Sequence, residues 1–539
     1  MYKFQTVFTM RKSIFILLFF LCQVIQAQSD FSIEKFDSRF RLSGESINMK
    51  GSSYNLNGSF NPDGEPNIGM IGIGYDIFGL IKKYPNLFLG VNSYSAMSGD
   101  RAGIFSFGVA VGYKQPIIKK SLFAELSFFV GGGGGGRLKD GGGLILRPSL
   151  EFEKTITDIV SLRAGVSRID FPSGVISSTH FNFGVVFNEG IYFANRIKKA
   201  TLSDLVENEN TNRIRVSLIG TLYNNFHGEV LSDTTGDVNV TYTKGNQIKL
   251  IGAEVSKFLT PNLYATVEFN GAVTGGIDGY MSYFLGGGFH YPMFNNRIFY
   301  DLRVLAGSSG GGGVATGGGA SFQIETGLGV KLFKSYELKL LGGRTFAPWG
   351  TFDATHFDLS LGKSFDVYKN DKLKLKEKKE VSSKNYMFQE MGFTVFNRSY
   401  IPPNLKDQNG IKYDEFFNLI GFELTSRINN YLSVVGSTIW AYQGDYGAYG
   451  EGWLGLAADY DIHDDWMLVA KGMVGAGGGG GIDLGAGLFF QYSLGFEKII
   501  NDRLNFILNA GQVKPLEGNF TPIHIDLGIK LKINKIIKK

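Results

Sequence analysis

Cysteine is almost absent from this chain. Among 539 residues the only one is Cys22, which excludes a disulfide scaffold and a multi-cysteine zinc site. Charged residues are also sparse, at 19% of the chain, against about 25% in an ordinary globular protein. After the first segment no run of 18 or more apolar residues occurs, so the sequence predicts no transmembrane helix. A membrane protein of this sequence would cross the bilayer as strands.

Glycine and aromatic residues are abundant instead. The chain holds 74 Gly, 46 Phe and 25 Tyr, and 43% of its residues are hydrophobic. The glycine content is about twice the usual share but has no collagen period, and the apolar content argues against a disordered chain. The composition therefore indicates an ordered, glycine-rich fold.

The first 27 residues have the order of a secretory signal peptide. Lys3, Arg11 and Lys12 precede the apolar stretch 13–21, and the small residue Ala27 follows. Such a stretch is too short to span a bilayer as a helix, so we expect cleavage after Ala27. Leu21 before Cys22 disfavours the alternative, a lipoprotein signal. Removal of three basic residues leaves 51 against 49 acidic ones, which takes away the support for a nucleic-acid partner.

Three segments of the chain are copies of one unit. The sequence of 141–154 returns at 485–498 and, more distantly, at 317–331. Glycine blocks recur in step at 131–136, 310–313 and 477–481, and one repeat position holds His180, His356 and His524. These matches indicate two duplications of a unit of about 170 residues.

Within each unit apolar residues alternate with small or polar ones, which is the strand pattern. The last unit predicts strands near 385–399, 415–428, 431–443, 449–462, 465–480, 483–499, 503–514 and 522–533. Each unit gives eight, or about 24 in all. Short turns after even-numbered strands and longer loops after odd-numbered ones are typical of outer-membrane barrels with periplasmic short turns. A soluble β-sandwich array would also alternate, but strands of ten or more residues and aromatic strand ends favour the membrane barrel.

The Gln26-Ala27-Gln28 ending of the signal, the glycine-rich hairpins and the alternating last strand form a recognisable pattern. It resembles the small eight-stranded outer-membrane barrels of the OmpA/OmpX-like type found in Bacteroidota, here in three tandem copies. The resemblance implies outer-membrane lipid or lipopolysaccharide and the barrel-assembly machinery as partners. The resemblance does not decide whether there is a further protein partner, and it implies no cofactor or nucleic acid.

We expect an all-β fold, an antiparallel transmembrane β-barrel of about 24 strands. The expected division is a signal peptide at 1–27, barrel repeats at 28–190, 212–365 and 385–539, and linkers at 191–211 and 366–384. Linkers of this length favour three eight-stranded barrels, because a continuous wall would need junctions of two to five residues. One large 24-stranded barrel is the alternative.

The repeated histidines are the candidate functional residues. Two positions later, on the same face of the predicted strand, stand Asn182, Asp358 and Asp526, and possible partners across the barrel are Arg147, Gln323 and Gln491. A buried polar network, a ligand contact and the general base of a lipid hydrolase all fit this pattern. A hydrolase would need a nucleophile, but the position that holds Ser149 in the first unit and Ser493 in the third holds Glu325 in the second. No metal-ligand spacing is evident either. We therefore predict no catalytic, cofactor-binding or metal residue.

The glycine blocks do not predict a phosphate loop, because no helix follows them. Three other interpretations of the glycine blocks are possible. They provide space and allow bends in a narrow barrel wall, they form contacts between units, or they are flexible loops. The sequence as a whole predicts a non-enzymatic outer-membrane barrel with a scaffold, surface-interaction or narrow-channel role. The alternatives are a lipid-modifying enzyme, or a wide pore for transport or secretion if the strands form one barrel.

Overall fold

A computed structural model describes residues 33–49, 64–194, 211–368 and 386–538. Short gaps within these ranges lie at 120, 228, 231–239, 242–246, 278, 334, 402–404, 407–411, 414–416, 445, 483, 486 and 502. The predicted signal peptide and most of both predicted linkers lie outside the described residues. The described chain is built of strands and turns, and none of it forms a helix long and apolar enough to cross a membrane.

The first eight strands form a closed antiparallel ring, here called ring 1. They are β1 (Ile33–Ile47), β2 (Ile68–Phe78), β3 (Leu87–Ser98), β4 (Phe105–Ile118), β5 (Leu122–Gly134), β6 (Leu144–Thr155), β7 (Val160–Asp170) and β8 (Ser177–Ala194). Each strand pairs with the next. The ring closes because β8 returns to β1, in register from Ile33 opposite Ala194 to Glu45 opposite Asn182.

The strands between residues 211 and 368 form ring 2 in the same way. Its chain order is β9 (Thr211–His227), the short hairpin β10 (Glu229–Val230) and β11 (Val240–Thr241), β12 (Ile248–Phe258), β13 (Leu263–Thr274), β14 (Met281–Met293), β15 (Ile298–Gly310), β16 (Ala320–Lys331), β17 (Tyr336–Phe346) and β18 (Asp353–Tyr368). Ring 2 consists of the eight long strands. It closes between β18 and β9, where Tyr368 lies opposite Thr211 and Thr355 opposite Asn224.

Ring 3 repeats the arrangement. Its chain order is β19 (Tyr386–Ile401), the short hairpin β20 (Leu405–Lys406) and β21 (Lys412–Tyr413), β22 (Phe417–Arg427), β23 (Leu432–Gln443), β24 (Gly450–His463), β25 (Trp466–Gly478), β26 (Leu488–Ile499), β27 (Leu504–Pro515) and β28 (Ile523–Lys538). Ring 3 consists of the eight long strands. It closes between β28 and β19, from Lys538 opposite Tyr386 to Ile523 opposite Ile401.

Short pairings at the ends of the last strands join the rings. Val367 of β18 lies opposite Ile537 of β28, and Asn534 and Lys535 of β28 lie opposite Ala194 and Phe193 of β8. The 24 long strands therefore belong to one hydrogen-bonded sheet, within which the pairing closes rings of eight. The predicted all-β, antiparallel barrel class with 24 strands is confirmed.

Side chains alternate between the interior of each ring and its outer face. On β8, Phe181 and Phe183 are 82% and 69% exposed, whereas His180 and Asn182 beside them are buried. Large apolar residues face outward on the other strands too, and charged residues fill the interior. A water-soluble barrel would have the opposite polarity, so this is a membrane-spanning β-barrel protein with an apolar belt against lipid.

An apolar cluster occupies the interior of each ring at the end with the long loops, and we call it the cap of that ring. The caps include Ile47, Ile68 and Phe171 in ring 1, Tyr223, Tyr280 and Phe352 in ring 2, and Phe417, Tyr449 and Phe520 in ring 3. The buried charged residues lie nearer the short-turn end, on the inward positions of the same strands.

Glycine surfaces bring the three rings into contact. A Cβ atom built on Gly132 of ring 1 would lie 2.6 Å from the carbonyl oxygen of Ala441 in ring 3. A Cβ on Gly103 of ring 1 would lie 2.5 Å from the amide nitrogen of Gly311 in ring 2. Residues with side chains would separate the backbones at these points. The glycine blocks therefore form contacts between units, one of the interpretations left open by the sequence.

Glycines also bring rings 2 and 3 into close contact, and an apolar cluster fills the centre of the molecule. A Cβ on Gly279 of ring 2 would lie 3.0 Å from the amide nitrogen of Gly479 in ring 3. Phe105, Tyr283 and Trp440, one from each ring, form an apolar cluster where the rings meet. The rings therefore pack directly against one another.

Candidate functional site: the buried charge networks

In ring 1 the predicted residues converge on a carboxylate of the first strand. His180 Nε2 lies 3.2 Å from Glu45 Oε2, and Arg147 Nη2 donates to the same oxygen at 2.6 Å. Asn182 is a neighbour of these residues and donates a short hydrogen bond to Ser167. Ring closure produces this cluster, because it brings β8 beside β1. His180 and Arg147 thus share Glu45, and Asn182 lies opposite Glu45 on the neighbouring strand.

A second ring 1 cluster was not predicted. Arg39 is fully buried and contacts three carboxylates, Asp76 at 2.7 Å, Glu125 at 2.6 Å and Glu153 at 2.7 Å. Lys114 also binds Glu153, at 2.6 Å. Buried ion pairs of this kind hold strands in one arrangement, because removing one partner leaves an uncompensated charge.

In ring 2 the predicted residues surround Arg303. Its Nε donates to Glu325 Oε2 at 2.7 Å, and its Nη2 donates to Asp358 Oδ2 at 3.4 Å. His356 Nε2 lies 3.1 Å from Glu325 Oε1, and Gln323 Nε2 donates to Glu268 Oε1 at 3.2 Å. Gln323, His356 and Asp358 are therefore brought together as well.

In ring 3 the central cation is Arg398. It donates to both oxygens of Asp526, at 2.7 and 2.9 Å, and to Gln491 Oε1 at 2.7 Å. His524 Nδ1 lies 3.1 Å from Asp526 Oδ1. The hydroxyls of Tyr400 and Tyr449 each donate to Glu451 at 2.6 Å. All three predicted residues of this ring share the network.

The arrangement in ring 3 bears on the hydrolase hypothesis. Ser493, His524 and Asp526 are all buried, and the aspartate orients the histidine. However, Ser493 Oγ and His524 Nε2 each lack a hydrogen-bond partner among the described residues, so they do not bond to each other. An activated serine needs that bond. The ring of Tyr400 also packs edge-on against His524, with centroids 6.3 Å apart.

The central charged residues Glu45, Arg39, Arg303, Arg398 and Glu451 were missed as site residues. A signal existed, since Asp301 and Arg303 alternate with Leu302 and Val304 and so had to point inward. Alternation assigns a face but no partner, and the partners lie on distant strands. Arg147 and Glu45, for example, are 102 residues apart in the chain.

One group in the described residues could hold a metal ion. Glu325, His356 and Asp358 each offer a ligand atom, and these atoms lie within 4.8 Å of one another. All three side chains are fully buried. Sequence reasoning missed this group because Glu325 lies on β16 and the other two lie on β18.

No protein-family profile and no curated protein sequence matches the chain. Solved structures do match. The siderophore receptor PirA from Acinetobacter baumannii is 9% identical, with 94% of this chain and 81% of that chain covered and a TM-score of 0.28. OccK11 (OpdR) from Pseudomonas aeruginosa is 8% identical, with 93% and 96% covered and a TM-score of 0.22. OpdQ from the same organism is 8% identical, with 94% and 98% covered and a TM-score of 0.21.

These comparisons correct the family resemblance drawn from the sequence. The matched structures are large outer-membrane barrels, siderophore receptors and porins, and not small OmpA/OmpX-like barrels in three tandem copies. The sequence resemblance was wrong because alternating strands and glycine-rich hairpins recur in outer-membrane barrels of every size. The rings of eight are a property of this chain's own strand pairing. Location in the outer membrane agrees with the apolar belt.

Proposed function

We propose that this protein is a non-enzymatic outer-membrane scaffold, a rigid body of three packed rings without an open passage. The observation that carries the proposal is what fills each ring. An apolar cap lies at the long-loop end, and a network of buried ion pairs lies on the inward positions beneath it. A ring of eight strands has room for little more than its own inward side chains.

The contacts between rings support the same role. Gly132 and Gly103 allow the backbones of neighbouring rings to approach closely, and Phe105, Tyr283 and Trp440 fill the centre. The chain therefore covers a wide area of membrane with a stiff wall and presents twelve long-loop connections on one side, four from each ring. Such a rigid body could act as a scaffold that holds these loops in fixed positions at the membrane surface.

Transport of a solute is the second candidate, and the charged interior favours it. Below each cap the inward residues are largely charged or polar, for example Arg39, Arg303 and Arg398. A cap that moved aside would expose a polar path. A wide pore would need a larger change than the movement of a cap, because the strand pairings that close each ring, such as β8 with β1, would have to break.

Conductance in planar bilayers distinguishes the two candidates. We expect the inserted protein to give no stable current steps, because caps and ion pairs obstruct every ring. Insertion is checked in parallel by flotation with liposomes and by resistance to protease. Large, stable steps from verified insertions would overturn the scaffold proposal and establish a channel.

A cap variant completes the experiment. The substitution Phe520→Ala in the ring 3 cap, combined with Phe417→Ala, removes two large side chains from the long-loop end. Small current steps in this variant alone would show that the cap is the barrier and would favour a gated channel. The scaffold proposal expects silence in both proteins, because the Arg398 network still fills the interior.

A further inference from the structure

The three rings differ at one equivalent set of inward positions. Ring 1 has Ser149, His180 and Asn182; ring 2 has Glu325, His356 and Asp358; ring 3 has Ser493, His524 and Asp526. Ring 2 alone carries three side chains of metal-ligand type there, and their ligand atoms lie within 4.8 Å of one another. The other rings replace at least one ligand with serine.

Arg303 binds one oxygen of each ring 2 carboxylate, and the second oxygen of Glu325, Oε1, accepts a short hydrogen bond from Gln323 Nε2. Arg303 binds Glu325 through Oε2, at 2.7 Å, and Asp358 through Oδ2, at 3.4 Å. Asp358 Oδ1 has no hydrogen-bond partner among the residues that the structure describes, although Asp358 is fully buried. An unpartnered carboxylate oxygen in the interior is costly, so its position points to a bound cation or proton.

The hydrogen bonds of His356 leave its Nε2 without a proton. Thr345 uses its only proton to donate to Gln323 Oε1, at 2.9 Å. Thr345 Oγ1 must therefore accept from Nδ1–H of His356, which lies 3.1 Å away. In the neutral ring Nε2 then carries a lone pair, directed at Glu325 Oε1 at 3.1 Å. Two lone pairs this close need a cation or a proton between them.

The charge of ring 2 points to a doubly charged ion. Its strands bury six carboxylates, Glu254, Glu268, Asp301, Glu325, Glu337 and Asp358, and the cations ion-paired with them are four, Arg213, Arg215, Arg303 and Lys339. In ring 1 the same comparison gives five of each sign: Glu45, Asp76, Glu125, Glu151 and Glu153 against Arg39, Arg41, Lys114, Arg147 and Arg163. With His290 and His356 neutral and all six carboxylates charged, ring 2 is therefore short of two positive charges.

We infer that ring 2 binds one divalent transition-metal ion of the zinc class through Glu325, His356 Nε2 and Asp358. A mixed set of imidazole and carboxylate ligands suits zinc better than magnesium, which prefers oxygen ligands and retains its water. Thr345 would orient His356 through its Nδ1, and Arg303 would orient Glu325 through its Oε2. The ring of Tyr223, a cap residue, packs on His356 with centroids 5.9 Å apart, so the ion is held beneath the cap and stabilises the ring.

Metal content tests the inference. The full mature chain is refolded in detergent after treatment with EDTA, incubated with Zn²⁺ or Mg²⁺, desalted and analysed by elemental mass spectrometry. We expect about one zinc per chain, no retained magnesium, and a higher midpoint of heat unfolding with zinc than with EDTA. Folded protein that retains no zinc would overturn the inference.

The other rings supply the matched variants. Glu325→Ser and Asp358→Asn install residues that ring 1 has at these positions, and both should lose the bound zinc and its effect on heat unfolding. His180→Gln and His524→Gln change the equivalent histidines and should keep both. Folding of each variant is checked by its heat-dependent gel mobility. If Glu325→Ser does not fold, the isosteric Asp358→Asn decides, and zinc retained by a folded Asp358→Asn protein would refute the site.

Discussion

Asp140 is a single residue at which pH should change stability. It lies in the long loop between β5 and β6, where its Oδ2 accepts a hydrogen bond from the amide of Gly135 at 2.9 Å. Gly447 of ring 3 packs against its other oxygen. Burial raises the pKa of Asp140 from its ordinary 3.8 to about 6, although the Gly135 amide favours the charged form.

A carboxyl group with a raised pKa in the folded state stabilises the fold only while it is protonated. Its contribution is complete below about pH 4, falls as the pH rises through about 6, and is then lost. The shift corresponds to about 3 kcal/mol, at about 1.4 kcal/mol for each pH unit. We expect Asp140→Asn to remove this dependence from the free energy of unfolding, measured by urea titration between pH 4 and 8. Equal slopes in both proteins would contradict the assignment.

At the level of elements, the contact of β5 with ring 3 depends on the absence of a side chain. A Cβ on Gly132 would lie 2.6 Å from the carbonyl oxygen of Ala441 and 2.8 Å from the Cβ of Trp440. We expect Gly132→Leu to force these strands apart and to lower the free energy of unfolding by about 1–3 kcal/mol, the usual cost of overpacking. Urea unfolding in detergent measures the change.

Gly472 in β25 provides the control for that experiment. A Cβ there would meet no atom within 4 Å, and the residue lies on an exposed position of its strand. Gly472→Leu adds the same side chain where there is room for it, so no loss of stability is expected. Equal losses in both variants would mean that the glycines matter for the strands themselves and not for contact between rings.

The strands could be predicted from the sequence wherever apolar and polar residues alternate. The fifth and seventh strands of the last repeat, predicted at 465–480 and 503–514, are found at Trp466–Gly478 and Leu504–Pro515. The sixth was predicted from 483 but begins at Leu488, because Gly485 and Gly487 have φ of 60° and 79°, outside strand geometry. Local alternation assigns the inward face of a strand. It carries no information on which distant strand supplies the partner.

That difference explains what was missed at the site. His356 and Asp358 stand two residues apart and could be paired by eye, whereas their companions Arg303 and Glu325 lie on β15 and β16. Only the ring register brings these strands together: Arg303 lies opposite Glu325 across one pair of strands. The contacts between rings were equally hidden, because a glycine has no side chain to mark a contact surface.

At the scale of the whole molecule, the packing of rings 2 and 3 can be fixed by a disulfide. A Cβ on Gly271 of β13 would lie 3.7 Å from the Cβ of Ala476 in β25, within the separation that a disulfide requires. The chain has no cysteine after Cys22, so an introduced pair has no competitors. We expect Gly271→Cys with Ala476→Cys to crosslink on mild oxidation.

Cleavage at a protease site inserted within 372–379 reveals the crosslink. The two fragments should stay together on a non-reducing gel and separate after reduction, because the disulfide is then the only covalent connection between rings 2 and 3. Gly220→Cys with Ala476→Cys is the control, since a Cβ on Gly220 meets no atom within 4 Å. Free fragments from the first pair would refute the packed arrangement. Equal crosslinking of both pairs would mean that the rings move against each other, which a rigid scaffold excludes.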